Sequence, residues 1–222
     1  MGIAAVIWAP VRVLRNVAAQ RDVLAGFVVT AVYAALSLAT AAASVFAGVT
    51  RAQFAGQPAP PGLPPGALES LVRATEVATR VLSVLTPFVW WVAVSLVMQL
   101  VTTRFFNGEG PLSAMMAVVG VAGAPLALGA LFQLLGTGLQ AALGLESIAG
   151  TLAGLVGGLV ALGTLVWHVV LVVVGAALAR RIGYGESAGS CAVSCAGCLA
   201  LIILVAVVLV GMGILVGTTA PQ

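Results

Sequence analysis

Few side chains in this sequence can do chemistry, and they are thinly spread. The 222 residues include one histidine, one aspartate, five glutamates, two tyrosines, three cysteines and no lysine. Acid–base or nucleophilic catalysis needs an acid, a base and a reacting group held together in one place. Asp22, Glu109 and Glu186 stand instead at the ends of apolar runs, and Glu146 falls between two of them. No carboxylate lies centrally in such a run, where an ion- or proton-coupled carrier usually keeps one. The chain is therefore expected not to be an enzyme or a coupled pump, and nothing in it asks for a cofactor.

His168 is the exception, because it sits deep in an apolar run after Trp167. A polar group at such a position must find a partner. One reading makes it a gate or ligand contact. The other, which is preferred, makes it a neutral imidazole bonded to a neighbouring helix, with Gln99 and Gln133 as candidate partners. His168, Gln99 and Gln133 together form the candidate polar site.

Cys191, Cys195 and Cys198 follow spacings of four and three, so one helical face carries all three. A structural zinc site needs a fourth donor, and none is at hand. A stripe of small residues for close helix packing is the preferred reading, and no metal is expected. Gly150, Gly154 and Gly158 repeat every four residues, as do Gly213 and Gly217. In lipid, such ridges let helices approach closely, here within one chain in preference to between chains.

The elements that carry these residues follow from composition. Hydrophobic residues make up 62% of the chain and charged residues 7%, against roughly 25% charged in soluble domains. Such a chain suits a bilayer, where the exterior is itself apolar. About 20 apolar residues cross a 30 Å hydrocarbon core as a helix. Five runs qualify: about 23–48, 81–101, 112–135, 151–179 and 192–217. Lipid leaves no water to satisfy a backbone, so each must be a helix. The ten-residue alternation of a membrane strand is absent. The fold class is all-α, a polytopic integral membrane bundle of about five transmembrane helices. The first run is too long for a typical signal-peptide core.

Residues 1–22 read as a cytoplasmic, interfacial amphipathic segment, with Trp8, Val11, Leu14 and Val17 on the apolar face. Residues 49–66 hold five of the ten prolines and read as an extended loop. Residues 67–80 form an amphipathic stem, with Glu69, Arg73, Glu76 and Arg80 sharing one solvated face. Pro87 and Pro125 interrupt the second and third spans and are expected to kink them.

The net charge is +3, and all nine basic residues are arginines. They stand singly or in pairs between apolar runs, which sets membrane orientation and forms no nucleic-acid stripe. Arg12, Arg15, Arg21, Arg104, Arg180 and Arg181 fall on one side, and Arg51, Arg73 and Arg80 on the other. Positive residues stay inside, so the N-terminus is expected in the cytoplasm and the C-terminus outside. The arginine-rich, lysine-free composition suggests a bacterial inner membrane. The six arginines of the inner side are candidate contacts for anionic lipid.

Several segments in order resemble the Yip family, membrane proteins first named for interacting with Ypt/Rab GTPases. They are the basic approach to the first span (Pro10 to Asp22), Pro87-Phe88-Val89-Trp90-Trp91, and Phe105-Phe106-Asn107-Gly108-Glu109-Gly110 with Ser113. Gly120-Val121-Ala122-Gly123-Ala124-Pro125 follows, then Trp167 late in a long span, then Gly185-Glu186-Ser187. The first loop matches loosely, and the cysteine cluster has no counterpart in the pattern. The resemblance implies five spans, a cytoplasmic N-terminus and no catalytic residues. Family members in eukaryotes are associated with Rab binding, vesicle traffic and membrane shaping, and a bacterial member lacks that machinery. The expected function is non-catalytic organisation of membrane lipids or protein partners, self-association included. The alternative is a transporter or channel for a small or lipidic solute. A cavity reaching His168 favours the alternative, and a filled bundle with a flat cytoplasmic face favours the organiser.

Overall fold

A computed structural model describes residues 5–48, 67–144 and 147–197. The described chain is helical: α1 (Ala5–Trp8), α2 (Pro10–Gln20), α3 (Val23–Phe46), α4 (Ala67–Phe106), α5 (Leu112–Val121), α6 (Ala124–Leu143) and α7 (Ile148–Arg180). An eighth helix, α8, is described over 184–197. Four stretches are long and apolar enough to cross a membrane: Val23–Phe46, Glu69–Phe106, Leu112–Leu143 and Ile148–Arg180. The chain is thus an all-α polytopic membrane bundle. The expected fifth span enters α8, and from residue 198 onward it lies outside the described residues. So do Cys198, Gly213, Gly217, Glu146 and the proline-rich loop.

Local chemistry explains the boundaries. Asp22 opens α3 by accepting a hydrogen bond from the Ala25 amide at 3.0 Å, and Ser147 opens α7 by accepting from Gly150 at 3.0 Å. These caps satisfy amides that a helix start leaves orphaned. Pro125 has no amide to give Val121, and the chain breaks at Ala122 and Gly123 between α5 and α6. Pro87 stands inside α4 without ending it. The 40 residues of α4 rise about 60 Å, so one end projects beyond a 30 Å core. On that end Glu69 and Arg73 pair at 2.6 Å in the open. Glu76, expected on the same solvated face, is buried.

The core lies along α5, where Met115, Ala117, Val118 and Val121 are fully buried. α3, α4 and α7 pack around it, α6 lies against α3 and α7, and α2 crosses α5 and α7 at one end. The interfacial segment presents a different face from the one its periodicity suggests. Val6, Val13 and Leu14 are buried, whereas Trp8 and Val11 are exposed. The reason is that α2 docks on α5 and α7, and Leu14 comes close to Gly175. α3 and α5 cross backbone to backbone at Gly26 and Gly120. Trp91 adds a bond from its indole N–H to the Met116 carbonyl at 2.8 Å.

Candidate functional site

The kink at Pro125 builds the site around His168. The Leu126 amide bonds to Gly123, so the Ala122 carbonyl lacks its usual donor one turn on. His168 on α7 fills the vacancy, its Nδ1 lying 2.8 Å from the Ala122 oxygen. A carbonyl only accepts, so Nδ1 carries the proton, and in the neutral ring Nε2 is left as an acceptor. The bond to another helix is therefore present, but its partner is a freed backbone carbonyl and neither Gln99 nor Gln133.

Beside His168 opens a cavity of about 780 Å³ between α3, α4, α5, α7 and α8. Its walls are mostly apolar, with Trp90, Trp91, Val94 and Val172 among them. Hydroxyl groups interrupt them: Thr30, Tyr33 and Ser37 on α3, and Thr79, Ser83 and Thr86 on α4. No charged residue is among the described lining. Cys191, Ser194 and Cys195 bring α8 to the wall. Cys191 is buried and Cys195, one turn on, is exposed, while His168 bonds to Ala122. Thiol and imidazole are not joined as a nucleophile and base would be. Among the described residues, no three His, Cys, Asp or Glu side chains gather as a metal site requires.

The three residues of the expected polar site are not brought together. Gln99 donates to the Gly110 carbonyl at 3.2 Å, near the end of α4. Gln133 lines a second cavity of about 280 Å³, bounded by α3, α6 and α7. That cavity also explains the glycine ridge. Gly154 and Gly158 border it, and a Cβ at Gly158 would meet nothing within 4 Å. α6 and α7 approach more closely at Gly136, against Ala153 and Gly157, and at Gly129, against Thr164. Gly150 meets the backbone of Gly144 ahead of α7.

Of the six arginines expected at the lipid surface, Arg12, Arg15, Arg21, Arg104 and Arg181 are exposed. Arg180 is corrected: it is only 2% exposed. Its Nε donates to Thr102 Oγ1 at 3.0 Å and its Nη2 to Thr103 Oγ1 at 2.6 Å. Its Nη1 and Nη2 also donate to the carbonyls of Gly110 and Gly108. Arg180 thus clamps the end of α7 to the turn after α4 and is out of reach of a headgroup.

The Phe105-to-Gly110 segment is therefore the seat of a buried arginine, and the Gly120-to-Pro125 segment is the kink that His168 holds. The family model for the Yip1 domain matches residues 4–217. The chain belongs to the Yip1 family. No curated protein and no solved structure matches it. The match runs from the interfacial helices through the expected fifth span, so in this Yip1 domain the clamp, the kink and both cavities lie inside the family unit.

Proposed function

We propose that this Yip1-domain protein acts by binding and not by turnover, organising membrane lipid by taking part of a lipid molecule into the bundle. The observation that supports this most is the 780 Å³ cavity beside His168. Its size falls in the range of about 300–1,000 Å³ typical of ligand sites, and its apolar walls with a few polar groups suit an amphipathic guest. Among the described residues the bundle is not filled, which moves the reading away from a flat docking platform for proteins; a cavity reaching His168 is also the feature expected of a carrier, and it supports binding through its apolar, uncharged described lining. The five exposed arginines cluster near the end where α2 docks and Arg180 closes the α4 turn. They suit anionic headgroups at about 1 kcal/mol each near the surface, shared and screened by salt.

The test is lipid retention. After purification from native membranes, mass spectrometry is expected to find anionic lipid enriched on the protein. Replacing Arg12, Arg15, Arg21, Arg104 and Arg181 together by Gln should lower that enrichment about tenfold, from the loss of roughly 1.4 kcal/mol or more of shared attraction. Any single replacement should change it little. Retention untouched by the fivefold change would refute the reading. The second reading, a carrier or channel for a small or lipidic solute, rests on the cavity reaching His168. Saturable solute flux abolished by His168→Ala, with lipid retention unchanged, would put it first.

Orientation is part of the proposal, with the arginine-rich end in the cytoplasm and the C-terminus outside. Single cysteines placed at Asn107 and Glu146 of a cysteine-free chain should label from opposite sides. Labelling from the same side contradicts this topology.

A further inference from the structure

A single face of α3 lines both cavities. Thr30, Tyr33 and Ser37 line the first and Thr40 and Ser44 line the second. Their spacings of three, four, three and four put all five on one side of the helix. From Thr30 to Ser44 the helix rises about 21 Å, most of a 30 Å hydrocarbon core. Opposite, Thr79, Ser83 and Thr86 on α4 repeat the pattern at the first cavity. Gln133, Thr137 and Gln140 on α6 repeat it at the second. Between the cavities α3 and α6 touch at Thr40, whose hydroxyl is 3.4 Å from the Ala130 carbonyl, so a guest that passes must part this contact.

Serine and threonine are ordinary in membrane helices when their hydroxyls bond back to their own backbone. Several do so here: Thr30 to Gly26 at 2.9 Å, Thr40 to Leu36 at 2.9 Å and Ser44 to Thr40 at 3.0 Å. That spends the hydroxyl proton and leaves oxygen lone pairs facing the cavities. His168 likewise offers Nε2 as an acceptor. Gln133 and Gln140 have no hydrogen-bond partner among the described residues, although an unpaired amide at membrane depth is costly. Leu82, Trp90, Leu165 and Val169 at the rim of the first cavity are exposed, so among the described residues it opens sideways toward lipid.

The geometry points to a passage for lipid headgroups between the two leaflets. The headgroup moves along the hydroxyl face of α3 while the acyl chains stay in the bilayer. This rests on the lipid-binding reading above and adds movement to it. The lining also selects the guest. With the back-bonded hydroxyls and the His168 Nε2 offering acceptors and no charge among the described lining residues, it suits headgroups that bring hydrogen-bond donors, such as the ammonium of ethanolamine or the hydroxyls of glycerol. Choline brings none. A metal cation finds no counter-charge among the described lining residues.

The experiment uses the full chain in vesicles containing trace lipid with a fluorophore on one acyl chain and a quencher added outside. Labelled phosphatidylethanolamine and phosphatidylglycerol should reach the quencher at least tenfold faster than in protein-free vesicles, and several-fold faster than labelled phosphatidylcholine. A trapped polar dye should stay inside. Ser37→Leu, which fills the track, should slow exchange about tenfold. Thr40→Val keeps the volume and removes only the hydroxyl, and should slow it about threefold even if Ser37→Leu folds poorly. No acceleration by the protein, equal rates for choline and ethanolamine lipids, dye escape, or wild-type rates in Thr40→Val would each overturn the passage. So would a photoreactive residue at Leu165 that crosslinks to residues 198–222 of its own chain and never to lipid. Retained lipid without exchange removes the passage and leaves the binding reading standing, whereas loss of both removes both.

Discussion

Arg180→Met is expected to lower the unfolding temperature in detergent by on the order of 10 °C, and Arg181→Met to lower it hardly at all. The two arginines are neighbours of the same type, yet one is exposed and the other is 2% exposed. Methionine keeps much of the side-chain stem and removes every donor. Thr102, Thr103, Gly108 and Gly110 then lose the guanidinium that bonds them. Hydrogen bonds to a charged group contribute about 1.5–3 kcal/mol each, and stranding their buried partners costs more than the bonds supply. They are not additive, so a total of about 3–5 kcal/mol is the sensible scale, similar to breaking a buried ion pair. Part of the turn should survive. The Gly108 amide still bonds to Thr102 and the Glu109 amide to the Arg180 carbonyl, each at 3.0 Å. Lysine should rescue only partly, because a compact ammonium cannot reproduce the planar fork. Circular dichroism melts of the three variants decide the matter. Equal unfolding temperatures for Arg180→Met and Arg181→Met would show that the clamp contributes nothing.

The clamp also shows where sequence reasoning runs out. Hydropathy locates the apolar runs because crossing a bilayer makes a demand on every residue in turn. It cannot separate Arg180 from Arg181, since both stand where positive charge is normal. One signal was present. Positions 168, 172, 176 and 180 are spaced by four, and His168, Val172 and Ala176 all face the protein. Following that face one more turn leads to Arg180, beside a glycine-rich turn with carbonyls to offer. The partner of His168 was not open to such an argument: Pro125 by itself frees the Val121 carbonyl, and the Ala122 carbonyl is free only because the Leu126 amide turns to Gly123.

Cavities are a different case. A void belongs to no residue, so neither composition nor periodicity announces it. The ridge of Gly154 and Gly158 fits a tight contact and an open floor equally well, and only tertiary structure chooses. The hydroxyl face of α3 was legible as a spacing, but serine and threonine pass unnoticed inside a run judged by its apolar neighbours.

Gly120→Ala should be more damaging than Gly26→Ala or Gly158→Ala, because backbone has nowhere to go. A Cβ at Gly120 would lie 2.5 Å from the Gly26 Cα and 2.8 Å from its carbonyl carbon and oxygen. No rotamer change relieves a clash with main chain, so α3 and α5 must separate. Overpacking typically costs about 1–3 kcal/mol where side chains can adjust, and here the upper end or beyond is expected. The reverse change, Gly26→Ala, meets backbone at 3.1–3.3 Å and should cost less. Once the helices have parted for one methyl, the other has room, so Gly26→Ala added to Gly120→Ala should fall short of the sum of the two. Gly158→Ala supplies the contrast. It meets open space and replaces a poor helix former by the best, a gain approaching 1 kcal/mol in a helix interior. Its unfolding temperature should equal or exceed wild type, while the smaller second cavity should slow lipid exchange. Unfolding in one detergent across the four variants would test the whole set. A Gly120→Ala protein as stable as wild type would mean that α3 and α5 do not meet at this crossing.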